Sequence, residues 1–140
     1  MVSEHEPMSP EQTLLAMFDH LDNRRYDALL SLMVPGAVWH RQGMRLQGHA
    51  QILAALRERS PTQRIRHLVT NLLQRSATPD AAQFTHYMTA LKFDDGRVHT
   101  GPVTIDGPLR MSLVTTQLQR IEGTWRVTDQ AIVTEFDFAP

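Results

Sequence analysis

Cysteine is absent from this chain of 140 residues. Disulfide bonds, thiolate nucleophiles and cysteine metal sites are thereby excluded, so stability has to come from a packed core. No stretch approaches the run of ~20 apolar residues that a membrane-spanning helix needs. The first ten residues are acidic and polar and lack the basic and apolar regions of a signal peptide, which predicts a cytoplasmic protein.

A strong charge of either sign is also lacking. The 14 basic and 15 acidic residues leave a formal net charge of -1 and are scattered along the sequence, so neither nucleic acid nor a membrane is an expected partner. Hydrophobic residues make up 41% and charged residues 21%, which is typical of a globular protein and not of a disordered one. The length suits a single domain, which we place at residues 9–138 after a flexible tail over residues 1–8.

The motifs of several common enzyme classes are missing. There is no GxSxG elbow, no Walker loop and no GxGxxG after a strand, which excludes the usual serine hydrolases, nucleotide hydrolases and dinucleotide oxidoreductases. Among the seven histidines, His20 with Asp22 comes nearest to a histidine-x-carboxylate iron motif. On a helix these two side chains diverge by roughly 200°. We therefore expect neither a metal ion nor a cofactor.

Three amphipathic helices are predicted early in the chain. Ser9 is a good N-cap for the first, with proline at the next position. In the second, apolar residues recur at helical spacing from Tyr26 to Met33, and Pro35-Gly36 is expected to end it. Gly48 is expected to start the third helix after a short strand at residues 38–40.

The remainder of the chain has strand-like patterns, and Glu122-Gly123 is typical of a hairpin turn. Helices followed by strands indicate an α+β fold with an antiparallel sheet. The turn-rich link over residues 94–108 is longer than a hairpin needs, and its alternatives are a mobile connection, or a lid or dimer-facing flap. The predicted strands cover residues 65–74, 83–93, 111–121 and 125–136.

The order of these elements resembles the nuclear transport factor 2-like superfamily, in particular its SnoaL-like branch. The residues that carry the resemblance are Val38-Trp39-His40 with Gly43 and Gly48, the strand 66–71 and the closing stretch 122–127. The resemblance spans about residues 10–136. It implies a strongly curved, mixed and mostly antiparallel sheet wrapped over three helices, as a cone with an internal cavity.

His67 is the leading catalytic candidate. His67 and Asn71 are four residues apart on a predicted strand, so both should leave the same face, which we take as the concave one. An imidazole moves protons near neutral pH, and a neighbouring amide orients a carbonyl or stabilises an oxyanion. The resemblance also implies an acid-base role for His67, since related dehydratases use a histidine on the corresponding strand. The alternative is a half-buried histidine bonded to backbone or water.

Asp22 and His86 are candidate second proton carriers. Asp22 ends the first helix near its apolar stripe, although a solvated helix-end carboxylate is the simpler interpretation. Dehydratase-like relatives pair such a carboxylate with a tyrosine about one turn earlier, where this chain has Phe18 and no phenol. Either His86 or Tyr87 faces the cavity, and we favour His86.

Four further residues are predicted to bind the substrate. Trp39 would form a flat apolar wall, although core packing is the commoner fate of a strand tryptophan. Thr115 and Gln117 on one strand and Asp129 on the next mix polar groups with apolar ones, as ligand pockets do. The same mixing suits an exposed face or a dimer interface.

The resemblance implies a broad range of functions. Our leading expectation is a cofactor-independent isomerase, dehydratase or cyclase that acts on a compact, largely apolar molecule by acid-base proton transfer. The alternatives are a non-catalytic ligand-binding or interaction protein and a small subunit of a larger oxygenase. Relatives commonly dimerise through their sheets, so a homodimer is expected.

Overall fold

The computed structural model describes residues 8–41 and 43–138, which form three helices and six strands. Residues 1–7 of the predicted tail lie outside the described part of the chain. The helices are α1 (Pro10–Asp22), α2 (Tyr26–Ser31) and α3 (Gly48–Arg57). The strands are β1 (Met33–Arg41), β2 (Met44–Gln47), β3 (Arg64–Ala77), β4 (Ala81–Phe93), β5 (Arg110–Ile121) and β6 (Thr124–Asp137).

Helix α1 begins where the sequence predicted. The Ser9 side chain accepts a hydrogen bond from the backbone N–H of Gln12 at 3.1 Å, and Pro10 takes the first helical position. The helix is amphipathic, because its apolar residues recur on one side. Its buried apolar residues are Leu14, Met17, Phe18 and Leu21.

Helix α2 is shorter than predicted. It ends at Ser31, and Met33 already opens β1. Pro35-Gly36 does not terminate the helix but lies inside β1, where the parallel pairing with β6 shifts register between Met33 and Val38. Proline cannot donate to a strand ladder, which suits this irregular stretch. Strand β2, which the sequence patterns did not predict, pairs antiparallel with β1.

The six strands form one mixed sheet in the order β2-β1-β6-β5-β4-β3. Only the β1–β6 pair is parallel, which confirms an α+β fold with a mostly antiparallel sheet. One small cavity is lined by residues of β1, β6, β5, β4 and β3 together. Five consecutive strands can border a single small cavity only if the sheet curves around it. The three helices pack on this concave side, with α1 against β3 and β6 and α3 against β1 and β2.

The two predicted turn regions are both present. Glu122 and Gly123 join β5 to β6 with φ of 52° and 80°, the left-handed pair that a tight hairpin needs. The link over residues 94–108 contains neither helix nor strand. It is attached to β3 by the Arg64 guanidinium, which donates to the carbonyl of His99 at 2.5 Å. Whether it acts as a lid or flap stays a prediction.

None of the helices in the described ranges is long and apolar enough to cross a membrane.

Candidate functional site

Asp22 and His67 form a nearly buried pair at the junction of α1 and β3. One carboxylate oxygen of Asp22 lies 2.5 Å from Nδ1 of the His67 ring, and the other accepts the backbone N–H of His67 at 2.9 Å. The two side chains are only 8% and 9% exposed. The carboxylate thus holds both the ring and the backbone of the histidine. The interpretation of Asp22 as a solvated helix-end carboxylate is wrong.

This pairing assigns the two ring nitrogens different tasks. In the neutral imidazole, Nδ1–H donates to Asp22, which leaves a lone pair on Nε2. His67 lines two neighbouring cavities. A histidine oriented by a carboxylate, with its second nitrogen free to accept a proton, is the arrangement that a general base requires.

The two cavities differ in size and meet at three shared residues. The outer one has a volume of about 370 Å³ and the inner one of about 40 Å³. Arg41, His67 and Arg110 line both cavities and therefore mark their boundary. The inner cavity holds little more than one or two waters, so most of a bound molecule would occupy the outer one. Other residues of the inner wall are Leu21, Trp39, Met88, Ala90, Ser112, Ile132 and Thr134.

The aromatic residues around the pair are packed as a wall. Trp39 is fully buried and lines the inner cavity, so its predicted place is consistent with both core packing and substrate contact. The ring of Phe18 lies 5.8 Å from that of His67 and 5.5 Å from that of His86. Phe18 packs beside both histidines and, because it has no hydroxyl group, supplies no proton.

His86 faces inward, whereas Tyr87 is exposed on the opposite side of the sheet. The His86 ring donates from Nδ1 to the carbonyl of Tyr87 at 2.9 Å, and its buried Nε2 has no partner. Burial lowers the pKa of His86, against a smaller opposing effect of that hydrogen bond. His86 lines neither of the two cavities, and Phe18 lies between it and His67.

The buried position of His86 should make folding sensitive to acid. Because its pKa is lowered on folding, the unfolded chain binds the proton more readily, and the free energy of unfolding should fall as the pH drops below about 6.5. Each pH unit below that value costs up to ~1.4 kcal/mol until His86 also titrates in the folded state. Urea unfolding between about pH 8 and 5 should show a shallower decline for His86→Asn than for the wild type. An equal decline in His40→Asn and His86→Asn would contradict this.

Asn71 does not share the cavity with His67, which corrects the expectation from strand alternation. Its φ is 54°, and the pairing of β3 with β4 shifts register between Thr70 and Leu73. A residue in the left-handed region reverses the alternation of the strand, and asparagine tolerates that conformation better than most residues. Asn71 is therefore exposed, and Leu72 turns inward instead.

Thr115, Gln117 and Asp129 also lie on the outer face and not in the cavity. The buried positions of β5 are the alternate ones, from Ser112 to Leu118, so Thr115 and Gln117 point away from the helices. Asp129 pairs with Gln117 across the strands, and its carboxylate lies 3.9 Å from Nε2 of the half-exposed His40. These three residues are removed from the candidate site.

Four polar residues of the inner cavity were missed from the sequence: Arg41, Arg110, Ser112 and Thr134. Arg41 follows Trp39 by two residues on β1, so alternation would have placed both on one face. Arginine is ordinarily exposed, so nothing in the sequence marked Arg41 as a cavity residue. On β5 both faces mix polar with apolar residues, so the pattern did not identify Ser112 as buried.

No group of three or more histidine, aspartate or glutamate side chains in the described ranges is arranged to hold a metal ion.

Comparison with known proteins places this geometry in a family. No curated protein matches the chain. Solved structures share the fold at low identity. A Novosphingobium aromaticivorans protein provisionally named an aromatic ring hydroxylase aligns with a TM-score of 0.76 and 16% identity, covering 99% of this chain and 95% of its own.

Two further structures support the same fold. A protein provisionally named a scytalone dehydratase, also from Novosphingobium aromaticivorans, has a TM-score of 0.74 and 16% identity, with 93% and 85% covered. ActVI-ORFA from Streptomyces coelicolor has a TM-score of 0.70 and 15% identity, with 89% and 92% covered. The SnoaL-like domain family matches residues 11–130, most of the chain. The resemblance seen in the sequence is thereby confirmed, and this protein belongs to the SnoaL-like domain family.

Proposed function

We propose that this protein is a cofactor-independent isomerase, dehydratase or cyclase that transfers protons by His67. The observation that carries the proposal is the nearly buried Asp22–His67 pair at the boundary of two cavities. Asp22 is a positioning residue, because it holds the ring from behind and lines neither of the two cavities that His67 borders. It also stabilises the imidazolium that forms when Nε2 takes a proton.

The chemistry begins with removal of a proton from a substrate carbon next to a carbonyl. Nε2 of His67 takes the proton, and the electrons of the broken C–H bond form an enolate. Returning the proton to another carbon completes an isomerisation. Giving it to a departing hydroxyl group completes a dehydration. Attack of the enolate carbon on a second carbonyl closes a ring, and the alkoxide that forms there takes the proton back from Nε2. All three outcomes use one acid-base residue whose side chain is nearly buried.

The inner wall suits a small, largely apolar part of the ligand, while the rest of the molecule would lie in the outer cavity. Leu21, Met88, Ala90 and Ile132 surround the boundary residues with apolar surface, and Trp39 adds a broad aromatic side. The neighbour provisionally named a scytalone dehydratase is consistent with this proposal. His86 stays a secondary candidate for proton transfer through rearrangement of Phe18.

A different role is suggested by the neighbour provisionally named an aromatic ring hydroxylase. In that case the domain would act as a small subunit of an oxygenase or as a ligand carrier, and the Asp22–His67 pair would serve stability alone. Purification of the native protein with a larger oxygenase chain would favour this role.

A two-stage experiment tests the proposed function. A thermal-shift screen of lactones, aromatic ketones, terpenoids and enolisable keto acids identifies ligands, since a molecule bound only by the folded state raises the melting temperature. Each hit is then incubated in D₂O and followed by NMR. An acid-base enzyme exchanges the acidic C–H of a bound substrate for deuterium or converts the molecule. If the hits bind but show neither deuterium exchange nor conversion, the enzyme proposal is wrong and the protein is a ligand carrier.

The proposal includes a cytoplasmic homodimer that associates through the outer face of the sheet. Thr70, Tyr87, Leu113 and Val133 lie side by side across four strands of that face, and Tyr87 and Val133 are exposed. Light scattering should give about twice the 15.9 kDa chain mass, with Tyr87→Lys shifted to the single-chain mass. If the wild type has the mass of a single chain, the proposed dimer is wrong.

A further inference from the structure

Two arginines at the boundary of the cavities have no carboxylate partner within the described part of the chain. Arg41 and Arg110 line both cavities. Neither appears in a salt bridge among the described residues. Nη1 of Arg41 is buried and has no hydrogen-bond partner in residues 8–41 and 43–138. Buried cations are ordinarily paired, so this arrangement is incomplete without an external group.

Packing, and not a counter-charge, holds the Arg41 guanidinium in place. It lies over the ring of Trp39 at 4.7 Å from the centroid, within the range of a cation–π contact. Burial, together with the positive charges of Arg59 and Arg110, lowers the pKa of Arg41 to about 10. The group therefore stays charged at neutral pH, in surroundings that are themselves positive.

Two more polar groups of the inner wall lack partners. Nε1 of Trp39 and Oγ of Ser112 form no hydrogen bond with any described residue, and both residues are fully buried. An indole N–H and a guanidinium can only donate, and a hydroxyl can donate as well. A buried donor without an acceptor is unfavourable, because it has given up its hydrogen bonds to water without replacing them. The inner cavity is thus lined by hydrogen-bond donors of Arg41, Trp39 and Ser112 that an acceptor group of a ligand could satisfy.

The outer cavity carries the same sign of charge. Its described lining includes the cations Arg41, Arg59, Arg110 and Lys92 and one carboxylate, Glu58. Lys92 and Glu58 are both exposed, which leaves three arginines closer to the cavity interior. Arg59 is fixed by hydrogen bonds to the carbonyl of Leu21 at 3.0 Å and the hydroxyl of Tyr26 at 3.1 Å. A low-dielectric cleft lined by one sign of charge concentrates ligands of the opposite sign.

We propose that the ligand of this site carries a carboxylate, which Arg41 and Arg110 bind at the cavity boundary beside His67. A carboxylate offers two planar acceptors that match the donor fork of a guanidinium, and it neutralises the uncompensated charge. This proposal narrows the expected class of substrate to compact, largely apolar molecules that carry one carboxylate. The carboxylate would orient an adjacent acidic carbon towards His67, and only this last step depends on the proposed function.

Binding of benzoate, compared with its neutral isostere benzamide, tests the carboxylate site apart from turnover. Titration calorimetry at fixed low salt should show benzoate binding at least 10-fold more tightly than benzamide. Arg41→Gln and Arg110→Gln should each weaken benzoate about 10-fold and leave benzamide unchanged. The matched control is Arg120→Gln, since Arg120 is exposed, bonds to Asp80 and lies outside both cavities. Arg120→Gln should bind benzoate like the wild type.

Stability separates loss of the site from loss of the fold. Without ligand, Arg41→Gln should melt at the same temperature as the wild type or higher, because it removes an uncompensated buried charge. Equal binding of benzoate and benzamide, no binding of either, or equal losses in the Arg41 and Arg120 variants would overturn the carboxylate site. His67→Gln should still bind benzoate. Tight carboxylate binding without proton exchange on any keto acid would retain the site and refute only the proposed chemistry.

Discussion

Replacing His67 by glutamine should lower the turnover of a substrate found in the screen by about 100-fold or more. Glutamine keeps a polar side chain of similar length that can hydrogen-bond to Asp22, but it cannot take up a proton near neutral pH. The loss should appear in kcat, with little change in KM, if the imidazole acts on the reacting carbon and not on binding. Steady-state rates at several pH values measure both constants.

Two further variants are compared with that result: Asp22→Asn tests the partner of His67, and His40→Gln is the control. An asparagine at position 22 can still hydrogen-bond, but it removes the negative charge that favours the imidazolium and the correct ring tautomer. Turnover should therefore drop by about 100-fold as well, and the pH profile of kcat should change. His40 is half-exposed on the outer face, so His40→Gln should match the wild type. An unchanged rate in His67→Gln would remove this residue from the mechanism.

Phe84→Ala should destabilise the fold by about 3–5 kcal/mol, because it removes a large aromatic side chain from a closely packed core. Phe84 is 1% exposed and belongs to the main cluster beneath the helices. The loss combines the transfer of the aromatic ring out of water with the cavity left behind. Urea unfolding, analysed as a two-state transition, measures the difference in the free energy of unfolding.

Val98→Ala is the control for that experiment. Val98 is 74% exposed in the link over residues 94–108, outside the strands and the core cluster, so its truncation leaves no cavity. Its effect should stay within about 0.5 kcal/mol. A loss below about 1 kcal/mol for Phe84→Ala would mean that the core refills around the missing ring.

Much of the fold was predictable because the signals are local. Ser9 and Pro10 mark the start of α1, Gly48 the start of α3, and Glu122-Gly123 the last hairpin. Caps and left-handed turns depend on a few neighbouring residues, so they can be recognised without tertiary structure. The end of α2 was predicted wrongly because it depends on a contact that is distant in the sequence. Pairing with β6 draws Met33 into a strand.

The candidate site was predictable only in part. Asp22 and His67 were each singled out, but nothing in the sequence joins two residues that are 45 positions apart. Asn71 was misplaced because one left-handed residue reverses the alternation on which the prediction depended. A bulge of this kind arises from the pairing of two strands, and the pattern of one strand does not contain it.

The sequence by itself determined the helix starts, the hairpin and the family, and it singled out His67 as the catalytic candidate. Tertiary structure alone decided which face of each strand is inside, because β5 and β6 mix polar with apolar residues on both faces. It also decided the charge of the cavity. Arg41 and Arg110 lie on strands separated by β6, and only the curvature of the sheet brings them to one boundary with His67. Charges that are distant in the sequence become one electrostatic site when the sheet bends.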